Sequence, residues 1–484
     1  MNMPRINSRD LSDHFSPILV KEFRQGLRSQ LFMWAFMLIH LFMAAGLLLN
    51  LSAGSSVSSR MTTGIFFWIL VSAPLLLFLP FGAMGSVSQE RRDGTLDLLQ
   101  LAHQSSFRLI LGKWMANAAL TLLLVIAIVP YMVLRYYLGG MDIFADLRDL
   151  FFVLLGSGLL TSIAILCSSY NIHAFRQWIA FLFLGYFVLM ALGGVIVLLH
   201  EMTYRANQAE TFQGTPYYVF FVSLGLLYFL LKWATVQVAP DSEYHGLGIL
   251  WFYIFFMLGN TLIAWLVSKD GVSVFSIIIS VVLSLLTVSR SLAESPSEYE
   301  GQLRHFRKKG WIHTVHTFFM APGWASAFFF SLISIALIFL NCCAFDESLD
   351  ELTRHPDRFF TIFTTCSMAV ITPLVIGRFL PFGPQSTMIR GLIAGGCMSI
   401  PFFIYAIGDS LDESWDKIFL VIGQTIPVSS LFCMMKQGFH RSLSLETIWI
   451  SHGVLLIVLA LFSYRGIKST FALRRSLWVN SEDK

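Results

Sequence analysis

The feature that most constrains this chain is a series of long apolar segments that recurs from one end of the sequence to the other. A helix needs about 20 apolar residues to cross a bilayer. Twelve such segments cover residues 31–51, 64–86, 114–134, 150–170, 178–200, 217–236, 248–267, 272–289, 318–341, 359–380, 391–408 and 448–464. The sequence therefore predicts an all-α polytopic membrane protein with about twelve transmembrane helices.

The composition of the chain supports this fold class. Hydrophobic residues make up 56% of the 484 residues and charged residues only 13%, about half of the roughly 25% that soluble domains carry. No polar stretch approaches the roughly 50 residues that a separate soluble domain needs. A soluble enzyme is therefore excluded, and the net charge of +4 is too small to indicate binding to nucleic acid.

The distribution of charge predicts the topology of the chain. Both ends are basic, with Arg5, Arg9, Lys21, Arg24 and Arg28 at the start and Arg465, Lys468, Arg474, Arg475 and Lys484 at the end. The positive-inside rule places both termini in the cytoplasm, which requires an even number of spans. A thirteenth apolar stretch, 418–435, contains Pro427, and a proline interrupts a straight helix. We therefore expect 418–435 to re-enter the membrane or to lie in its interface, in a protein of the inner or plasma membrane.

Residues 16–29 predict an amphipathic helix at the membrane interface, ahead of the first span. Ser16 suits the N-cap and Pro17 the first helical position. One apolar face is formed by residues that recur every four positions, Leu19, Phe23 and Leu27. Basic residues occupy other faces of the helix: Lys21, Arg24 and Arg28. This pattern is typical of an interfacial helix, and the open alternative is a simple positively charged anchor.

A second polar motif lies between the second and third predicted spans. It reads Glu90-Arg91-Arg92-Asp93-Gly94-Thr95-Leu96-Asp97-Leu98-Leu99. Gly94 interrupts the chain, Thr95 can cap a following short helix, and Asp97 suits the first turn of that helix. Ser106 is expected to cap the next helix, which contains Lys113. A charged turn followed by a leucine-rich helix is suited to docking a partner, and the alternative is a helix that lies on the lipid surface.

Together, these segments resemble the ABC-2 type permease family, the membrane subunits of ATP-binding-cassette exporters. The family pattern has a K-E-x-R-like helix before the first span, an E-x-x-x-G-T-L-[ED]-L-L segment between spans two and three, and G-K at the start of span three. The matching residues are Lys21-Glu22-Phe23-Arg24, Glu90 to Leu99 and Gly112-Lys113. The resemblance covers residues 16 to about 240.

The resemblance implies a transport subunit that is not itself an enzyme. It assigns coupling to a separate ATPase to Glu90, Arg91, Arg92, Asp93, Gly94, Thr95, Leu96, Asp97 and Leu98, and the interfacial helix to Lys21, Glu22, Phe23, Arg24 and Arg28. ATP and Mg²⁺ would bind the partner, since the chain has no G-x-x-x-x-G-K-[ST] loop. The expected partners are this ATP-binding subunit, membrane lipid, and a second copy of the chain or another permease. No residue is assigned to catalysis or to a metal.

The chain is longer than a six-span permease, and this predicts four parts. They are a six-span permease unit at 1–240, a two-span hairpin at 241–289, a basic cytoplasmic linker at 290–317 and a four-span region at 318–484. An ion-coupled secondary transporter is one alternative, but it requires ionisable residues at mid-bilayer, which are scarce here. A membrane-embedded transferase is another, supported only by acidic outer loops.

A few polar residues in or near the predicted spans could line a substrate path. His40, Asn117 and Asn260 are the candidates, although uncharged polar residues often bond neighbouring helices to each other. His313 and His316 have a spacing that could bind a metal, but no third ligand lies near them in the sequence. We expect the six cysteines to be small buried hydrophobic residues.

Overall fold

A computed structural model describes residues 17–52, 67, 68, 70–96, 105–137, 143–170, 215–239, 246–267, 270–293 and 324–343, with isolated residues at 363, 366, 367, 370, 371, 453 and 457. These residues are helical and contain no strand. The helices are α1 (Pro17–Leu27), α2 (Gln30–Ser52), α3 (Leu79–Ala83), α4 (Ser86–Arg92), α5 (Ser106–Tyr137), α6 (Ile143–Ser169), α7 (Thr215–Val238), α8 (Gly246–Val267), α9 (Asp270–Ala293) and α10 (Trp324–Cys343).

Six segments of the described residues are long and apolar enough to cross a membrane, which indicates a membrane-embedded protein. They are Gln30–Leu48, Leu70–Arg92, Ser106–Tyr137, Asp146–Ser169, Tyr217–Val238 and Gly248–Leu266. The apolar parts of α9 and α10 are shorter, at Ile279–Val288 and Ser326–Asn341. The spans predicted at 178–200 and 391–408 and the segment 418–435 lie outside the described residues, as do nearly all of 359–380 and 448–464.

The chain divides into two compact units. The first comprises Met1–Gln213 with Val219–Glu243, and the second comprises Gly214–Tyr218 with Tyr244–Lys484. In the first unit, α2, α5, α6 and the segment before α3 surround one apolar core. Its fully buried members include Ala35, Ile39, Met43, Phe67, Val71, Leu75, Leu124 and Ile128.

The interfacial helix α1 packs closely against α5, and glycines permit the approach. A Cβ atom added at Gly26 would lie 2.5 Å from Leu120 Cδ1, and one added at Gly112 would lie 3.1 Å from Ile18 Cγ2. Pro17 is the first described residue of α1, and the N-cap predicted at Ser16 lies outside the described residues. Small residues let two helix backbones come close, so these two glycines fix how α1 docks.

The face of α1 that packs on α5 differs from the predicted apolar face. Ile18, Glu22 and Gly26 recur every four residues and lie toward α5. Phe23 packs partly against the core, whereas Leu27 is 39% exposed. The contact with α5 therefore uses a face other than the predicted apolar stripe, with a carboxylate and a glycine at its centre.

A wide turn interrupts the second span. Pro74 cannot donate a backbone hydrogen bond to the preceding turn, and residues Pro74–Phe78 form a π-helical turn. The Ser157 hydroxyl of α6 donates to the carbonyl oxygen of Leu75 at 2.8 Å. A π-turn leaves a carbonyl poorly served within its own helix, and the hydroxyl satisfies it. The chain then continues through α3, turns at residues 84–85 and forms α4.

The buried side of this second span follows a strict four-residue period. Its members are all at most 2% exposed: Phe67, Val71, Leu75, Leu79, Ala83 and Val87. In an α-helix, four residues advance about 40° beyond one full turn, so such a stripe would drift around the helix. The wider turn advances less for each residue, and this offsets part of the drift.

The other end of α5 is joined to α6 by a buried ion pair. Arg135 Nη1 lies 3.4 Å from Asp146 Oδ2, and the guanidinium carbon lies 4.1 Å from the centroid of the Phe67 ring. Asp146 is in the first turn of α6, where a negative charge suits the helix dipole. This ion pair lies near the C-terminal end of α5 and covers that end of the apolar core. Lys113 lies near the opposite end of the same helix.

In the second unit, hydroxyl and amide groups join α8, α9 and α10. The Asn341 amide donates to Ser276 Oγ at 2.7 Å, and the Asn260 amide donates to the same oxygen at 2.9 Å. Tyr218 donates to Asn260 Oδ1 at 2.9 Å, and Tyr253 bonds Ser284 at 2.7 Å. Such hydrogen bonds hold helices together in an apolar surrounding.

Candidate functional site

Three pieces of the sequence motifs meet in one charged network at the start of α5. Lys113 Nζ lies 2.9 Å from Glu22 Oε1 of α1 and 3.0 Å from Glu90 Oε1 of α4. Lys21 Nζ lies 3.5 Å from the same Glu90 oxygen. We call Lys21, Glu22, Glu90 and Lys113 the charge network. Its two ammonium groups and two carboxylates balance in charge.

The charge network lies mostly out of water. The Lys113 side chain is 1% exposed, Glu90 12% and Glu22 16%, whereas Lys21 is 60% exposed. Moving an isolated charge from water into such a place costs several kcal/mol, and that cost is offset only where ion pairs and hydrogen bonds are complete. The network can therefore exist only while α1, α4 and α5 stay assembled around Lys113.

The short helix α4 is held at both ends by groups from distant parts of the chain. At its start, the Ser168 hydroxyl oxygen of α6 accepts hydrogen bonds from the amides of Val87 and Ser88, at 3.0 and 3.1 Å. A serine oxygen at that place does the work of an N-cap. Near its end, Arg91 Nη2 donates to the carbonyl oxygen of Gln237 in α7 at 3.1 Å. The helix is therefore tied to α6 and to α7 as well as to Lys113.

A sharp turn follows α4 and forms the exposed tip of the motif. Gly94 has a φ of +68°, a left-handed conformation that glycine adopts without strain and that commonly ends helices. Arg92, Asp93, Gly94 and Thr95 are exposed. Leu96 is only 5% exposed, so it anchors the turn to this chain. Asp97 and Leu98 lie outside the described residues.

Two capping predictions need correction. Thr95 does not precede the next helical segment as a cap, because it is already helical and its hydroxyl donates to the Glu90 carbonyl oxygen at 3.2 Å. The cap of α5 is one residue earlier than predicted. The Ser105 hydroxyl oxygen accepts a hydrogen bond from the Arg108 amide at 3.4 Å, and Ser106 is the first helical residue.

The glycine at the tip gives a matched pair of variants. We expect Gly94→Ala to open the turn and to speed tryptic cleavage after the exposed Arg92 about fivefold or more, since a left-handed L-residue costs about 1–2 kcal/mol. Gly85→Ala is the control, because Gly85 has a φ of −91° and an added Cβ meets nothing within 4 Å at either glycine. Equal cleavage rates in the two variants would contradict this assignment.

The remaining basic residues of the interfacial helix are not part of the charge network. Arg24 and Arg28 are exposed, and Ser29 accepts a hydrogen bond from the amide of Phe32 at 3.2 Å as α2 begins. Exposed basic side chains on an interfacial helix could meet an acidic surface or anionic headgroups.

The polar residues proposed for a substrate path have partners within the protein. His40 Nδ1 bonds the Tyr131 hydroxyl at 2.9 Å, and Asn117 donates to the Lys113 carbonyl oxygen at 3.1 Å. Asn260 belongs to the network in the second unit. Among the described residues, no group of His, Cys, Asp or Glu could hold a metal ion, and His313 and His316 lie outside them.

The cysteines that the structure describes behave as predicted. Cys167 and Cys366 are free thiols and both are buried. This is the environment expected of cysteines that pack as small hydrophobic residues.

Comparison of the chain with protein-family models, curated proteins and solved structures finds no match in any of the three.

Proposed function

We propose that this chain is the permease subunit of an ATP-binding-cassette exporter, driven by a separate ATP-binding subunit that docks on the tip at residues 92–95. ATP and Mg²⁺ bind that partner, and this chain forms the transmembrane path. It pairs with a second copy or with another permease, because it supplies one coupling segment and an exporter needs two. The proposed chain lies in the inner or plasma membrane and crosses it twelve times. Both of its termini lie in the cytoplasm.

The observation that carries the proposal is the charge network. Lys21-Glu22, Glu90 and Gly112-Lys113 are the three pieces on which the family resemblance rests, and they are far apart in the sequence. Their side chains nevertheless meet around the Lys113 ammonium group. A force applied at the exposed tip would pass directly through Glu90 to α1 and α5, which is the connection that a coupling segment needs.

The geometry supports a simple mechanism. The partner would close on ATP and displace the tip, and α4 would move with it because the Glu90 carboxylate and the Arg91 guanidinium join α4 to α5 and α7. The helices would then shift between inward-facing and outward-facing states. ATP binding can favour one state only through contacts that differ between the two, and those contacts would lie at the tip.

The test is co-purification of a phosphate-loop ATPase with the tagged chain from its native membrane in mild detergent. We expect a stoichiometric ATPase and ATP-dependent turnover in proteoliposomes. Asp93→Arg should remove the ATPase, because Asp93 is exposed at the tip and reversal of its charge leaves the charge network intact. Tyr137→Arg is the control, since it places the same charge at a side chain that is 78% exposed at the other end of α5.

Two results would overturn the proposal. One is the absence of any nucleotide-binding partner from the wild-type preparation. The other is turnover that proceeds without ATP, which would favour an ion-coupled transporter or a membrane-embedded transferase.

A further inference from the structure

One side of α7 presents an exposed stripe that ends in a lysine. Phe220, Leu224 and Tyr228 are spaced four residues apart and are 39%, 44% and 38% exposed. Lys232 is the next residue at this spacing and is half-buried. Residues four apart in a helix are neighbours, each advanced about 40° around the axis, so the stripe runs obliquely and its order is two apolar side chains, a tyrosine and a cation.

The Lys232 ammonium group contacts aromatic faces instead of a carboxylate. Its Nζ lies 4.0 Å from the centroid of the Phe107 ring of α5 and 5.6 Å from that of the Tyr228 ring. Within the described part of the chain it forms no ion pair and no hydrogen bond. Lys113 and Arg135, in contrast, each meet a carboxylate. A lysine within an apolar span is costly in free energy. Such a residue therefore indicates a functional site in which the lysine binds a specific partner.

The position of Lys232 in the membrane follows from Gln237. Gln237 accepts the hydrogen bond from Arg91, so this end of α7 lies at the level of the tip and the charge network. Lys232 precedes Gln237 by five residues, or about 7 Å along the helix axis. Its flexible side chain can extend from that depth to the headgroup region of the same leaflet.

We propose that this stripe is a binding site for an anionic phospholipid of the leaflet on the side of the tip. The Lys232 ammonium group, which has three N–H donors, binds the headgroup phosphate. Tyr228 and Phe107 lie beneath the glycerol region, and one acyl chain runs along Leu224 and Phe220. From residue 220 to 232 the stripe is about 18 Å long, which matches one leaflet of a hydrocarbon core of about 30 Å.

The proposal does not depend on the ATPase, since it rests on α7 and Phe107 alone. Charge complementarity selects the occupant. The apolar stripe accepts acyl chains of any lipid, whereas a cation that meets two rings and no carboxylate among the described residues selects an anionic headgroup. Free phosphate has the same anionic group, but it would gain nothing from Leu224 and Phe220.

The experiment uses the purified full chain, depleted of lipid, and native mass spectrometry to measure bound phosphatidylglycerol against phosphatidylcholine of the same acyl chains. Wild type is expected to retain phosphatidylglycerol preferentially. Lys232→Gln should bind it about fivefold more weakly, because it removes the proposed hydrogen bond from the ammonium group to the headgroup phosphate. Lys232→Arg should retain it because the charge remains. Arg108→Gln, which removes an exposed cation at the same end of the protein, should bind as wild type does.

Each alternative has a distinct result. Equal binding of the two lipids, or an unchanged preference in Lys232→Gln, would overturn the proposal. Thermal stabilisation by inorganic phosphate equal to that by phosphatidylglycerol would show an anion site that does not recognise lipid. If Lys232→Gln does not fold, Leu224→Asn supplies the second test, because it should weaken phosphatidylglycerol binding and leave any response to inorganic phosphate unchanged.

Discussion

Lys113→Met is expected to release α1 from the rest of the protein. The substitution leaves the Glu22 and Glu90 carboxylates facing each other in a place that is mostly closed to water, and removal of one partner of a buried ion pair costs about 3–5 kcal/mol. The readout is limited tryptic cleavage at the exposed Arg24 and Arg28, together with the thermal midpoint of the purified chain. We expect faster cleavage and a lower midpoint than in wild type.

Two further variants separate charge from side-chain size at Lys113. Lys21→Met removes the other lysine of the network, but that side chain is 60% exposed and should cost only about 0–1 kcal/mol. The triple variant Glu22→Gln, Glu90→Gln and Lys113→Met removes the three mostly buried charges and leaves only Lys21, which is 60% exposed, so it should recover much of the lost stability. A triple variant as unstable as Lys113→Met would show that packing, and not charge, explains the effect.

Arg135→Met is expected to lower the free energy of unfolding by a similar amount, about 3–5 kcal/mol, because it removes one member of the buried ion pair with Asp146. The variant also removes the contact with the face of Phe67, and a lysine could not replace it because the planar guanidinium stacks on the ring. Thermal unfolding monitored by retention of the monodisperse peak in size-exclusion chromatography measures the loss.

Arg108→Met is the matched control for Arg135, since it changes an exposed arginine at the other end of the same helix and should stay within about 0.5 kcal/mol of wild type. The double variant Arg135→Met and Asp146→Asn should be more stable than Arg135→Met alone. A single variant as stable as the control would mean that the pair contributes nothing to holding α5 against α6.

The general fold could be predicted from the sequence because apolar length is a strong signal. Each of the six segments that can cross a membrane overlaps a predicted span. The break at Pro74–Phe78 could not be predicted in the same way, since a proline within an apolar run does not reveal which wider turn replaces the lost hydrogen bond. The hydroxyl of Ser157 that satisfies this turn comes from a helix 82 residues further along the chain.

The sequence predicted the individual residues of the charge network, but it did not predict that their side chains meet. Lys21-Glu22, Glu90 and Lys113 were each part of a motif, but no sequence rule joins Glu22 to Lys113 across 91 residues. The apolar period of α1 also did not reveal the face that packs on α5, because a hydrophobicity pattern cannot identify a glutamate that is buried by pairing. Ser168 had no local signal at all, since it caps α4 from another helix.

The wide turn at Pro74–Phe78 has a consequence for how this chain can change over time. It sets the rotational phase of the residues that follow, and one inserted or deleted residue would turn them by about 100°. The Glu90 carboxylate would then no longer face Lys113. Side chains here can vary as long as every fourth one is apolar, but the number of residues between Phe67 and Glu90 cannot. Length, more than composition, should therefore be the conserved property of this segment.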